Sequence, residues 1–502
     1  MTNLETRLRE SLSRHLDPVQ VEPLPGSVRR RIRMRRLVSA SLTTIVIGVI
    51  AVVGAIWLPD TVSPPDRSQP IGPAPAPALD PATLTYAWSV QVEDASALGE
   101  VVQDSERIYV PTVSGAVAYS KACSDPCKPV WRLDVAEGSG RAERSMTSLA
   151  LGDGVLVVNV ANRLAVVATD CGEGGSACQP LWIADRIAGT SGYGGPVIAD
   201  GVVKVITNEG NAPDNRQTAV AFELRCRDDG EECSPLWRAD LGSGTAHVPG
   251  VAVGGVLYQQ VGTRMFGFAA RCRTDGGECE PEFVVESLGD PSSQVSSMYG
   301  PVLHDGTLVL ASGVGTVAGY PEHCGTSCEA QWTTRIADYL EAYPFIAGDV
   351  VVVAHDGGVT AVPLACGDSC APSWRAELGG YWPVEYADAD VIVVARHFGG
   401  PKRVAVLPAK CADPCDPLWS AEMSDDLRGV ASDGTTVFVS DGPSVLAFPT
   451  ACTDPCQSVW SGELEEPTWN FLIDDRTLAA ASPVGEFGEN GIRVTVFIGR
   501  PR

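Results

Sequence analysis

From residue 85 onward the chain is written in short apolar runs broken by glycine, aspartate and polar residues. Residues 345 to 365, FIAGDVVVVAHDGGVTAVPLA, show the grammar: an apolar run, a DGG turn and a second run rich in β-branched residues. GDGVLVV, HDGTLVL and SDGTTVFV repeat it at the same place in other units. Runs this short, punctuated by Gly and Asp, predict strands of an antiparallel meander; a helix would show apolar positions every three or four residues. After the second run come two cysteines and then a Trp or Phe that opens one more short run. The unit therefore reads as four strands.

The unit recurs at intervals of 41 to 55 residues, a period that signals a propeller or an array. Its marker is a cysteine pair: Cys123 and Cys127, Cys171 and Cys178, Cys226 and Cys233, Cys272 and Cys279, Cys324 and Cys328, Cys366 and Cys370, Cys411 and Cys415, Cys452 and Cys456. These are all 16 cysteines of the chain. The aromatic that follows is Trp131, Trp182, Trp237, Phe283, Trp332, Trp374, Trp419 or Trp460. If strands A to D run outward from an axis, the aromatic lies on D and each cysteine pair lies in the C-to-D hairpin. Trp88 opens a strand of the same kind, and strand-like runs without cysteines, WNFLIDDRTLAAAS and IRVTVFI, follow Trp460. Nine sets of strands can thus be counted.

The pattern resembles the quinoprotein-like propeller repeat, that of the pyrroloquinoline quinone (PQQ) family, roughly D-G-x-V-Y-V, G-x-L-Y-A-L-D, T-G-x-x-x-W. SERIYVPTVSGAVAYSKACSDPCKPVW and GDVVVVAHDGGVTAVPLACGDSCAPSW follow it, with a cysteine loop in place of the Asp and Thr-Gly turn. The resemblance covers residues 85–502 and implies an all-β propeller of four-stranded antiparallel blades, eight by the family norm. It also implies what a quinone-dependent dehydrogenase would carry: an adjacent Cys-Cys pair, a tryptophan floor and a calcium site. No Cys-Cys occurs in this chain, so no catalytic residue carries over. The expectation is a protein that is not an enzyme and takes no cofactor.

Leu37 to Leu58 is an uncharged run of 22 residues, long enough to cross a bilayer, and Arg29 to Arg36 reads RRRIRMRR just before it. A signal peptide would have a shorter apolar core and a small-residue cleavage site, so the run predicts one uncleaved span. Residues 1–36 hold nine arginines against four acids, which keeps that segment cytoplasmic and exports the remainder. The domain plan is then a basic cytoplasmic segment (1–36), a transmembrane helix (37–58), a Pro-rich linker (59–84) and the propeller (85–502). Leu4, Leu8, Leu12 and Leu16 share one helical face of the first segment. The whole chain carries a net charge of -25. Its exported part is more acidic still, which argues against nucleic acid as a partner. An oxidising compartment would bridge each cysteine pair; zinc favours C-x2-C, whereas these are C-x3-C or C-x6-C without histidines in register.

Other chemistry is sparse. The exported histidines, His247, His304, His323, His355 and His397, form no HExxH pair, and there is no nucleophile elbow or P-loop. The acidic loop Asp228 to Glu232 lacks the spacing of an EF-hand. One feature recurs: an aromatic just before strand A, at Tyr193, Tyr299, Tyr343, Trp382 and Trp469. On the face formed by the D-to-A and B-to-C connections, opposite the disulfides, these would ring the axial mouth, either to stack on a ligand or to wedge between blades. The long B-to-C loops 208–217, 396–403 and 483–491 project on the same face. The reading is a membrane-anchored extracytoplasmic binding or scaffolding module for an envelope protein or glycan; the alternatives are a transmembrane sensor or a quinoprotein oxidoreductase.

Overall fold

The computed structural model describes residues 78–501 except 97–98, 136–146, 161–162, 173–175, 186–194, 210–215, 244–249, 287, 289–297, 339, 341–342, 368–369, 399, 425–426, 454 and 486–489. The expected span at 37–58 and the basic segment before it lie outside these residues. Among the described residues no helix is long and apolar enough to cross a membrane.

The strands form nine sheets among the described residues, each an antiparallel blade, with Ser176–Ala177 of the second blade's cysteine loop added in parallel to the outer strand of the first. Blades 1 to 8 occupy 102–134, 147–185, 197–243, 251–285, 298–335, 345–381, 384–422 and 427–463 in order. Blade 9 takes Asn470–Ile473, Thr477–Pro483 and Ile492–Pro501 as strands A to C, and the first strand of the chain, Leu79–Val92, as its strand D. Trp88 pairs with Val496 and Ser89 with Thr495, so the two ends of the chain close the ring in one sheet. The count is therefore nine blades and not the eight of the family norm. Leu79 to Leu84, at the end of the segment read as linker, belong to this closing strand.

Local chemistry explains the hairpins. Between strands A and B of blades 2, 3 and 5 stand Asp153-Gly154, Asp200-Gly201 and Asp305-Gly306, with φ of 46 to 52° at Asp and 70 to 74° at Gly. Two successive positive φ values make the turn whose twist matches that of the flanking strands. Blades 1, 7, 8 and 9 use an aspartate instead: Asp104, Asp388, Asp433 and Asp474 each accept backbone N–H bonds from two and three residues on.

All 16 cysteines are paired as expected, each bridge inside its C-to-D hairpin. The loop also folds back over the blade before. The N–H groups of Cys178, Cys233, Cys279 and Cys415 donate to Arg132, Ile183, Arg238 and Arg375 carbonyls at 2.7 to 2.9 Å, each one residue past the Trp of the preceding blade. Every cysteine pair shares a core cluster with the Trp or Phe of the blade before it. The loop thereby covers the outer edge strand, which otherwise would offer unpaired backbone to other chains.

The indole completes the seam from the other side. Trp88, Trp182, Trp237 and Trp419 lie on Tyr119, Phe222, Phe268 and Phe448 of the next blade, with ring centroids 5.5 to 5.9 Å apart. Four indole N–H groups donate to the carbonyl two residues before the next blade's first cysteine: Trp182 to Leu224 (2.9 Å), Trp237 to Ala270 (2.9 Å), Trp374 to Ala409 (3.2 Å) and Trp419 to Thr450 (3.0 Å). Where blade 9 meets blade 1, Trp88 donates to the Lys121 carbonyl at 3.3 Å and the Lys121 ammonium, itself buried, pairs with Asp474.

Candidate functional site

In an antiparallel blade the D-to-A and B-to-C connections share one end, and the cysteine loops occupy the other. The aromatics singled out in the sequence stand at the starts of A strands on the first of these ends, but they do not form one ring of equal partners. Tyr193 lies outside the described residues. Tyr299 and Tyr343 are half-buried and meet edge to face at 5.7 Å, joining blades 5 and 6. Trp382 is 3% exposed, its N–H donates to the Gly379 carbonyl at 3.1 Å, and its ring is part of the core between blades 6 and 7. It is a wedge with no face to offer a ligand. Trp469 alone of the described four is open, at 42%, with the Arg428 guanidinium over its ring at 5.6 Å.

Strand alternation explains the difference. Thr468 takes the inward place, fully buried, with its hydroxyl donating to the Ala481 carbonyl at 2.6 Å, so Trp469 turns out. At blade 7 the aromatic itself takes the inward place.

A further aromatic on the same face comes from the B-to-C loop of blade 7. Phe398 is 73% exposed, and the Lys402 ammonium stands 5.2 Å from the centre of its ring. Its neighbour His397 is bonded to Glu385 at 2.9 Å, and both are largely shielded, which anchors the base of the loop to strand A. Sequence reasoning marked this loop for its length but not Phe398; the signal was an aromatic set between a histidine and a Gly-Gly-Pro turn, where no strand pattern calls for one. Among the described residues the face thus carries two exposed rings, each with a cation beside it. Such pairs attract each other electrostatically and hold the ring's position while leaving apolar surface free.

Titratable groups elsewhere are committed to the fold. In the loop after Cys226 the Arg227 guanidinium grips Asp229 at 2.8 and 2.5 Å and lowers its pKa to about 2. Arg273 holds Asp275 the same way in the next blade, at 2.8 and 2.6 Å. Lys204 is wholly buried between blades 3 and 4, its ammonium donating to the Tyr258 carbonyl at 3.1 Å and Gln259 Oε1 at 3.0 Å; burial pushes its pKa down to about 7. Among the described residues no group of three or more His, Cys, Asp or Glu is placed to hold a metal ion.

No protein-family model and no curated protein matches the chain. Solved structures do. BamB from Moraxella catarrhalis is 14% identical, covering 83% of this chain and 99% of that one, with a TM-score of 0.47. The computationally designed protein Ika8 is 10% identical over 82% of this chain and 98% of that one, TM-score 0.46. Sqt1 from Chaetomium thermophilum, solved with the N-terminus of ribosomal protein L10, is 10% identical over 61% and 96%, TM-score 0.40. The likeness is one of fold. The blade count rests on the strand pairing of this chain itself.

Proposed function

We propose that the protein is a non-catalytic binding or scaffolding module, a PQQ-repeat-like propeller held outside the cytoplasm by the span at 37–58, and that it captures an envelope protein or glycan on the face of the D-to-A and B-to-C connections. The observation that carries the reading is the pair of exposed rings, Phe398 and Trp469, each with a cation, on a scaffold whose other large aromatics are mostly spent in the seams. Exposed aromatics on rigid supports are how binding surfaces gain area at little entropic cost. Sixteen cysteines all bridged in pairs support an oxidising compartment. A quinone-dependent activity has no residue here to carry it, and a relay through residues 1–36 rests on the sequence alone.

The test uses the full-length protein in detergent. Phe398→Ala and Trp469→Ala should each reduce capture of a partner from envelope extracts at least about tenfold, while the melting temperature stays near that of the parent, since exposed substitutions shift stability by less than about 0.5 kcal/mol. Undiminished capture by both variants would sink the assignment of this face.

A further inference from the structure

Eight seams are covered by a cysteine loop; the one between blades 8 and 9 is not, because blade 9 is assembled from the two ends of the chain and has no cysteines. The covered seams show what an outer strand takes on its free side. In blades 1, 2, 3, 4 and 6 the residue after the Trp or Phe is Arg132, Ile183, Arg238, Val284 or Arg375, and its carbonyl accepts the N–H of the second cysteine of the following loop at 2.7 to 3.3 Å. The Ile183 and Arg238 N–H groups donate in turn to the Glu231 and Gly277 carbonyls, at 3.3 and 3.1 Å, two residues before that cysteine. This is the ladder of a parallel strand, and on Trp131 and Arg132 the loop residues Ser176–Ala177 form such a strand outright.

Blade 8 offers the same outer strand, Trp460–Glu463, with Ser461 in the place of those five residues. Leu84 lies four residues before Trp88, where the second cysteine lies before the other aromatics, but residues 81–84 drop out of register between the pairs Asp80 with Arg500 and Thr85 with Ile498. The Leu84 carbonyl accepts the Trp460 indole N–H at 3.2 Å. Among the described residues nothing meets the outward N–H and carbonyl of Ser461. Trp460 remains partly exposed where Trp131, Trp182, Trp237, Trp374 and Trp419 are sealed. The open edge borders a groove of about 360 Å³ lined by Leu84, Tyr86, Trp460, Gly462, Glu463 and Phe497, with Tyr86 52% exposed.

We propose that this edge takes an extended basic segment of a partner protein, added in parallel as one more strand. Main-chain bonds give such an addition its affinity, and pockets for alternate side chains give it specificity. The covered seams define the side chains. In blades 2 and 3 the residue whose N–H reaches the outer strand is the buried Cys233 or Cys279, packed with Trp182 or Trp237, while the residue before it, Glu232 or Glu278, is exposed. The occupant therefore places apolar residues over Trp460, Tyr86 and Phe497, whose rings meet at 5.2 and 6.4 Å, and a polar residue between them. Charge sets the sign of that polar residue. Where the outer strand carries Arg238 or Arg375, the loop brings Glu278 or Asp413 beside it. Blade 8 has Ser461 in place of the Arg and Glu463 in the groove, on a chain of net charge -25, so its occupant is cationic. Four strand residues span about 13 Å, which fits a segment of four or five residues. The edge lies apart from the face that carries Phe398 and Trp469, and its occupancy does not depend on capture there.

The probe is fluorescein-labelled Lys-Val-Lys-Val-Lys, read by fluorescence polarisation against the full-length protein in detergent. The N–H of its second valine is the one that meets the Ser461 carbonyl. Saturable binding is expected, weakened at least about tenfold when that N–H is methylated. Ser461→Pro should weaken it as much with little change in melting temperature, because it removes an N–H that faces away from the ladder to strand C. If that variant does not fold, the methylated peptide decides the matter on the parent protein. Equal binding of the methylated peptide would mean attraction to an acidic surface alone and would overturn the proposal. So would the absence of saturable binding, undiminished binding by a folded Ser461→Pro, or a parent dimer that Ser461→Pro dissociates, which would give the edge to a second copy.

Discussion

Lys204 ties the stability of the fold to pH. Its ammonium lies in the seam between blades 3 and 4, where among the described residues it meets a carbonyl and an amide oxygen, and burial lowers its pKa from 10.5 to about 7. Between those two values the unfolded chain holds the proton and the folded one does not, so stability should rise with pH, by up to about 1.4 kcal/mol per unit. Denaturant midpoints from pH 7 to 10 should climb for the parent and stay flatter for Lys204→Met; a parallel climb would place the titrating group elsewhere. The tryptophans offer a second residue-scale comparison. Among the described residues the buried indole nitrogens of Trp131 and Trp332 have no hydrogen-bond partner, whereas those of Trp182 and Trp237 are bonded across the seam. Trp182→Phe and Trp237→Phe should therefore cost about 1 kcal/mol more than Trp131→Phe, since only the first two strip a carbonyl of its donor. Phe283 already makes that change in blade 4.

At the scale of the element, the cysteine loop belongs to two blades at once. Each bridge closes a loop of only five to eight residues, worth about 2 kcal/mol in loop entropy. Its larger effect is to hold the loop on the preceding outer strand. Replacing Cys226 and Cys233 with Ser should speed amide exchange at Trp182–Asp185, in the blade before, more than at Trp237–Ser243, in the loop's own blade; the opposite ranking would refute the clasp. The strands themselves were legible in the sequence because their signals are local: Asp153-Gly154 declares its turn and Val155–Val160 its strand without reference to anything distant. The direction of the loop was not legible, since it depends on which blade stands beside it. The same holds for the aromatics before strand A. Trp382 and Trp469 share a motif, and only the company of Thr468 or its lack decides which of them turns outward.

For the whole molecule, the ring closes through one sheet built from both ends of the chain. Resemblance favoured eight by the family norm although nine sets of strands could be counted; the strand that opens with Trp88 and the set after Trp460, joined as Trp88 with Val496, make the ninth blade. Asp474 lies at the first turn of that blade and Lys121 at the end of strand C of blade 1, so their ion pair crosses the closing seam. Asp474→Ala would leave the buried ammonium with the Asp104 carbonyl but no counter-charge, at a cost of about 3 kcal/mol. Exchange should then rise first in Leu79–Val92 and Arg107–Thr112, while blades 4 and 5 on the far side keep their protection. Uniform loss around the ring would mean that the seam is not where the molecule opens.

The closing sheet also sets an order of events during synthesis. Ser89 and Thr495, which meet across it at 3.1 Å, are 406 residues apart in the chain. At about 5 to 20 residues per second the first strand emerges roughly 20 to 80 s before its partner exists. Throughout that interval Trp88 and Val92 have no sheet to enter, and eight finished blades form an arc with a raw edge at either end. A product that stops ten residues short has lost nearly all of Ile492–Pro501, the partner of Leu79–Val92, and cannot close that sheet however well the rest of it has folded.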